Sequence, residues 1–184
     1  MFKTTLLSLF TLALSSSSFA APGLFPTTVK EVDLSKMQGR WYEVASSDPL
    51  VTRICACTTV DYSFNSNHGV GALDIAKSCR LGAFNGQLTE WNAIAYPGSS
   101  PAKFKLSVGG ITSPFENYWI IALADDYRYA VVSTGFRNPV LVLSRMPDLT
   151  QADASIIGTH LYNDGYDLNK MVNTLHDGCK YPGE

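Results

Sequence analysis

The sequence predicts an all-β protein: an eight-stranded antiparallel up-and-down β-barrel with one C-terminal α-helix packed on its wall. Two patterns point there. Across residues 39–145, short runs alternate apolar and polar side chains with a period of two, and clusters of turn residues separate them. After Leu149 the spacing lengthens to that of a helix. About eight runs at regular intervals favour closure into a barrel, which leaves no unpaired sheet edge. Composition agrees, with aromatic residues at 11% and charged residues at 16%. Charge is thus sparser than the roughly 25% of an average soluble protein, and a packed core is expected rather than disorder.

The first twenty residues read as a cleavable leader. Lys3 precedes an apolar stretch over residues 6–14, and Ser18-Phe19-Ala20 offers small residues before a cut at Ala21. The serine run 15–18 interrupts the stretch well short of the roughly 20 apolar residues a membrane span requires. Cysteine is missing at the cut, so neither a lipid anchor nor a stable membrane attachment is expected. The remaining segment, 21–184, is the size of one domain, and it is expected outside the cytoplasm, secreted or periplasmic.

The strands follow in order. Residues 40–45 open the series. Residues 58–64 alternate through Val60, Tyr62 and Phe64 and meet a turn cluster at 65–69, after which 71–79 return antiparallel. Residues 87–96 end at Pro97-Gly98, and 103–108 place Lys103 and Lys105 opposite Phe104, Leu106 and Val108. Runs at 117–123, 127–133 and 139–144 complete the set. Thr150-Gln151-Ala152-Asp153 then forms a capping box, and Ile156, Ile157, His160 and Leu161 recur at helical spacing before Gly165.

Charge and cysteine content narrow the function classes. Fourteen basic against sixteen acidic residues leave a formal net charge of −2, without the basic excess of a nucleic-acid binder. In an oxidising compartment the four cysteines, Cys55, Cys57, Cys79 and Cys179, are expected to pair as two disulfides. Zinc is disfavoured, because Cys-x-Cys lacks the usual ligand spacing and His68, His160 and His176 form no paired motif. Neither a metal nor a cofactor is expected.

A small barrel has room for one ligand, so function is expected on the inward faces. Alternation puts Val60, Tyr62 and Phe64 on one face and Cys55, Cys57 and Asp61 on the other. The same test places Phe104 and Leu106 inward, and Tyr129 with Val131 inward opposite Arg128. Inward lysine or arginine is not evident on the strands that alternation can orient, so no clamp for an anionic headgroup is expected. Since Cys55 and Cys57 share a face, alternation leaves both disulfide pairings open.

Three motifs carry a family resemblance. Gly39-Arg40-Trp41, following a short turn at 33–37, resembles the Gly-x-Trp motif of the lipocalins; Asp125-Asp126-Tyr127 resembles their Thr-Asp-Tyr turn; and Leu143-Ser144-Arg145 resembles their strand-ending arginine motif. The likeness covers about residues 32–179. It is strongest over 117–147, which is similar to the bacterial outer-membrane lipocalins and to apolipoprotein D, while the cysteine pattern also resembles that of plant plastid lipocalins. Asp125 departs from the usual threonine.

The resemblance implies that Trp41 plugs a closed barrel end beneath the guanidinium of Arg145, that Tyr118, Leu141 and Leu143 face inward, and that the disulfides are Cys57–Cys179 and Cys55–Cys79. It further implies a carrier of a small hydrophobic ligand such as a fatty acid, a lysophospholipid or a terpenoid pigment. One alternative is an enzyme of the same fold acting on a lipid or carotenoid-like substrate, with tyrosines or Glu43 as acid and base. Another is a protein-binding module using the loop at Ser113-Pro114-Phe115. Hydrolase and phosphate-binding motifs do not occur, and a hydrogen-bonded structural role is expected for Glu43.

Overall fold

The computed structural model describes residues 23–48, 51–64 and 66–183; the expected leader at 1–20 lies outside the described residues. Asp33 caps a single helical turn, α1 (Leu34–Met37), by accepting a hydrogen bond from the Ser35 amide. The chain then enters β1 (Gly39–Ser46) and runs through α2 (Val51–Ile54), β2 (Cys55–Phe64), β3 (Leu73–Leu81), β4 (Leu88–Pro97), β5 (Lys103–Val108), β6 (Ile111–Thr112), β7 (Tyr118–Leu123), β8 (Tyr129–Ser133) and β9 (Val140–Ser144). The long helix α3 (Gln151–Asn163) and a two-residue strand, β10 (Val172–Asn173), complete the chain.

Neighbouring strands pair antiparallel, and β9 returns to pair with β1, closing an eight-stranded barrel from β1–β5 and β7–β9. The two remaining strands, too short to show a period, are additions that the sequence did not signal. β6 folds back on β5. β10 pairs with Ala45 and Ser46, beyond Tyr42, where the β1–β2 register ends. Two strands start later than alternation places them, β3 at Leu73 and β8 at Tyr129. Tyr127 has φ +60° and donates its amide to the Ala124 carbonyl, so it belongs to the turn before β8. Gly71, at φ +79°, likewise precedes β3.

Apolar residues separate into two layers. One fills the barrel from Met37 and Trp41 upward through Val60, Tyr62, Ile75, Phe104 and Leu143. The other lies between the barrel wall and α3, where Ile157 and Leu161 pack with Val131 and Val142. Ile156, expected in the packed stripe, is instead 52% exposed because it falls on the solvent side of α3. Thr150 caps this helix by accepting from the Asp153 amide, and Arg128 anchors it through a 2.7 Å ion pair with Asp153. The Arg128 guanidinium and the Thr150 hydroxyl, both donating to the Asp153 carboxylate, hold it below its ordinary range.

The disulfides are Cys55–Cys79 and Cys57–Cys179. The second spans 122 residues and ties the C-terminal tail to β2. Beside it, His176 donates from Nε2 to the Glu43 carbonyl at 3.0 Å, leaving Nδ1 to accept from the Tyr181 hydroxyl at 2.7 Å. Burial lowers the His176 pKa, which favours this neutral form. Replacing Cys57 and Cys179 together by serine is expected to cost about 4–5 kcal/mol on the chain-entropy account, against about 3 for the shorter Cys55–Cys79 loop. Urea titration of the two double variants checks that order.

Candidate functional site: the barrel cavity

One end of the barrel is sealed. Gly39 turns the chain at φ +87°, and a side chain there would meet Arg145, since a Cβ would sit 3.6 Å from Nη1. The indole of Trp41 is wholly buried and donates to the Met37 carbonyl at 2.8 Å. Over its face lies the Arg145 guanidinium, 3.8 Å from the ring centroid. That guanidinium also donates to the carbonyls of Arg40, Lys36 and Gln38, so it closes the cap around α1. The turn motif serves the same seal: Asp126 accepts from Arg128, and the Tyr127 hydroxyl accepts from the Asp33 amide at 2.7 Å.

Above the plug the interior is polar before it becomes apolar. Glu43 follows Trp41 on the inward face of β1, and its Oε2 accepts from Lys77 Nζ at 2.7 Å. Burial raises the Glu43 pKa, and the Lys77 ammonium opposes that rise. The hydroxyls of Tyr62 and Tyr118 bond to one another inside the barrel. Burial pushes both phenols up, so neither is a ready base at neutral pH.

The walls above enclose a cavity of about 340 Å³, within the range of small-molecule sites. Apolar side chains dominate its lining, among them Val60, Ile75, Ala93, Leu106, Val132 and Leu141, with Trp91 and Val108 toward the mouth. Four of the sequence-expected ligand residues reach it: Val60, Leu106, Tyr118 and Leu141. Tyr62, Phe104 and Leu143 face the interior but pack below the cavity in the barrel core.

Two expectations are corrected. Phe64 is 45% exposed, since Tyr62 already pairs with Gly39, the first residue of β1, and Phe64 projects past that strand. Tyr129 faces outward with Val131, into the layer beneath α3. The Tyr127 turn breaks the alternation between Arg128 and β8, so Arg128 and Tyr129 lie on the same outer side, 5.3 Å apart. Ala130 and Val132 take the inward positions.

Lys77 departs from expectation in the other direction. It shares the inward face of β3 with Leu73 and Ile75 and stands in the cavity wall. Its signal was present in the alternation of β3, where Leu73, Ile75 and Lys77 occupy every second place, but a charge in that register reads more readily as solvent-facing. Among the described residues no three His, Cys, Asp or Glu side chains group to hold a metal ion, and no helix is long and apolar enough to cross a membrane.

Comparison with known proteins places this geometry. A family described as the lipocalin-like domain matches residues 32–176. The chain is 29% identical to outer membrane lipoprotein Blc of Citrobacter freundii over 154 residues, covering 83% of this chain and 84% of that protein. It is 28% identical to apolipoprotein D of Mus musculus over 189 residues, covering 97% and 95%. Among solved structures, insecticyanin from the tobacco hornworm Manduca sexta superposes with a TM-score of 0.63 at 18% identity, covering 88% of this chain and 92% of that one. The sealed end, the closed eight-stranded barrel, the outer helix and the match across most of the sequence lead to one conclusion: this chain belongs to the lipocalin family.

Proposed function

We propose that the protein is an exported carrier that encloses one small hydrophobic molecule, a lipid chain or a terpenoid, within its barrel. The observation that carries this reading is the cavity of about 340 Å³, sealed below by Trp41 and Arg145 and walled chiefly by apolar side chains. Burying a ligand's apolar surface there supplies the driving force, roughly 25 cal/mol per Å² removed from water. Export is supported by the leader-like residues 1–20 and by the pairing of every cysteine in a disulfide. Catalysis has little to draw on, since Glu43 is tied to Lys77 and Tyr118 to Tyr62.

Native mass spectrometry of the secreted protein, followed by denaturing extraction, tests the reading. A stoichiometric apolar passenger is expected; an empty barrel that also rejects neutral apolar probes would overturn it. Filling the cavity gives a sharper check. Leu141→Trp projects an indole from a partly exposed wall position into the space between Val132 and the mouth. Probe affinity is expected to fall by about tenfold or more, with the far-ultraviolet circular dichroism unchanged.

A further inference from the structure

We infer that the cavity selects a neutral ligand bearing a hydroxyl group, an apolar alcohol rather than a free carboxylate, and that Lys77 with Glu43 forms the site that receives that hydroxyl. This rests on the carrier reading and narrows its ligand class.

The register fixes where the pair sits. Trp41 pairs with Val60, Val60 with Lys77, and Lys77 with Trp91, so four inward residues form one row across β1–β4. Val60 and Trp91 both stand in the cavity wall on either side of Lys77. Lys77 is the one charged side chain among the described residues that line the cavity. The Glu43 side chain is only 1% exposed and that of Lys77 is 19% exposed. The carboxylate therefore lies behind and the ammonium in front, toward the ligand space.

Hydrogen-bond capacity then describes the missing partner. An ammonium has three N–H donors, and Glu43 takes one of them at 2.7 Å. Glu43 Oε1 is buried without a hydrogen-bond partner among the described residues. A buried acceptor left unmade is costly, and groups of this kind are normally satisfied. Oε1 lies outside the cavity lining, so what the pair presents to a ligand is the spare donors of Lys77. A hydroxyl oxygen accepts from those donors without adding a charge to the pair.

Charge points the same way. Glu43 and Lys77 cancel, so an uncharged ligand end leaves the interior neutral. A fatty-acid carboxylate would bring a third charge and a net negative balance into a largely apolar enclosure, and burying an uncompensated charge is strongly unfavourable.

Displacement of the neutral cavity probe N-phenyl-1-naphthylamine by dodecanol, dodecanoate and dodecane, at neutral pH, tests the inference. Wild-type protein is expected to bind dodecanol about tenfold more tightly than dodecanoate. Glu43→Gln leaves the Lys77 charge unbalanced and is expected to reverse that order. The double change Glu43→Leu with Lys77→Met removes both charges together and is expected to erase the advantage of dodecanol over dodecane. Equal or tighter binding of dodecanoate by the wild type overturns the inference while leaving the carrier reading intact, and so does an unmoved alcohol-to-acid ratio in folded Glu43→Gln. Should a variant fail to fold, the wild-type ratio decides alone. Failure of the probe and all three ligands to bind overturns the carrier reading, and this inference with it.

Discussion

Replacing Trp41 by alanine removes about 3–5 kcal/mol of stability, the range for deleting a fully buried tryptophan. Three losses coincide there. The indole leaves a void at the sealed end of the barrel, where Trp41 is wholly buried. The Met37 carbonyl loses the N–H that reaches it at 2.8 Å, and the Arg145 guanidinium loses the ring face 3.8 Å beneath it. Trp41→Phe separates these contributions, because it keeps a ring for Arg145 but not the N–H; an intermediate loss is expected. Guanidinium titration of both variants measures the order. A loss below about 1 kcal/mol for Trp41→Ala would show that Met37 and the α1 turn collapse to fill the space, and would sink the plug description.

Lys77→Met produces a loss of similar size but with a different dependence on pH. Removing one member of a buried ion pair strands the other, at a cost of about 3–5 kcal/mol, with the lower end expected here because the Lys77 side chain keeps 19% of its exposure. The stranded group is Glu43, whose pKa burial already raises even with Lys77 beside it. An acid with a raised pKa in the folded state favours folding below its unfolded pKa, and that contribution disappears as pH rises through the folded pKa. In the wild type Lys77 limits the loss by holding the carboxylate charged at lower cost. In the variant nothing does, so the gap from wild type is expected to be small in acid and to widen toward neutral pH. Urea titrations at acidic and neutral pH read that gap directly. A deficit independent of pH would mean that Lys77 contributes packing rather than charge compensation.

The mouth of the barrel shows why some site residues were legible and others were not. Phe104, Leu106 and Val108 could be oriented because Lys103 and Lys105 mark the opposite face, and Leu106 and Val108 do line the cavity. β8 carries no such marker within its own five residues, YAVVS, every one of which is buried. One face meets the ligand space and the other meets α3, and sequence alternation cannot tell two buried faces apart. Borrowing Arg128 as the marker failed because the left-handed Tyr127 turn stands between it and a full strand register.

The sealed end followed from the resemblance of the Gly39, Trp41 and Arg145 motifs to those of the lipocalins; the sequence by itself determined the elements and their order, period-two runs giving the barrel strands and the Thr150 capping box giving α3. These depend on local pattern, since backbone geometry imposes the periods of strand and helix wherever they occur. Only the tertiary structure decided which face of β8 is interior, where the cavity stops, and that Lys77 reaches Glu43 across a barrel 34 residues apart in sequence. The β1–β2–β3 register makes the last of those decisions, and closure of β9 onto β1 makes the others. Closure assigns an inside to every strand at once, and the register brings together side chains whose proximity no local period records.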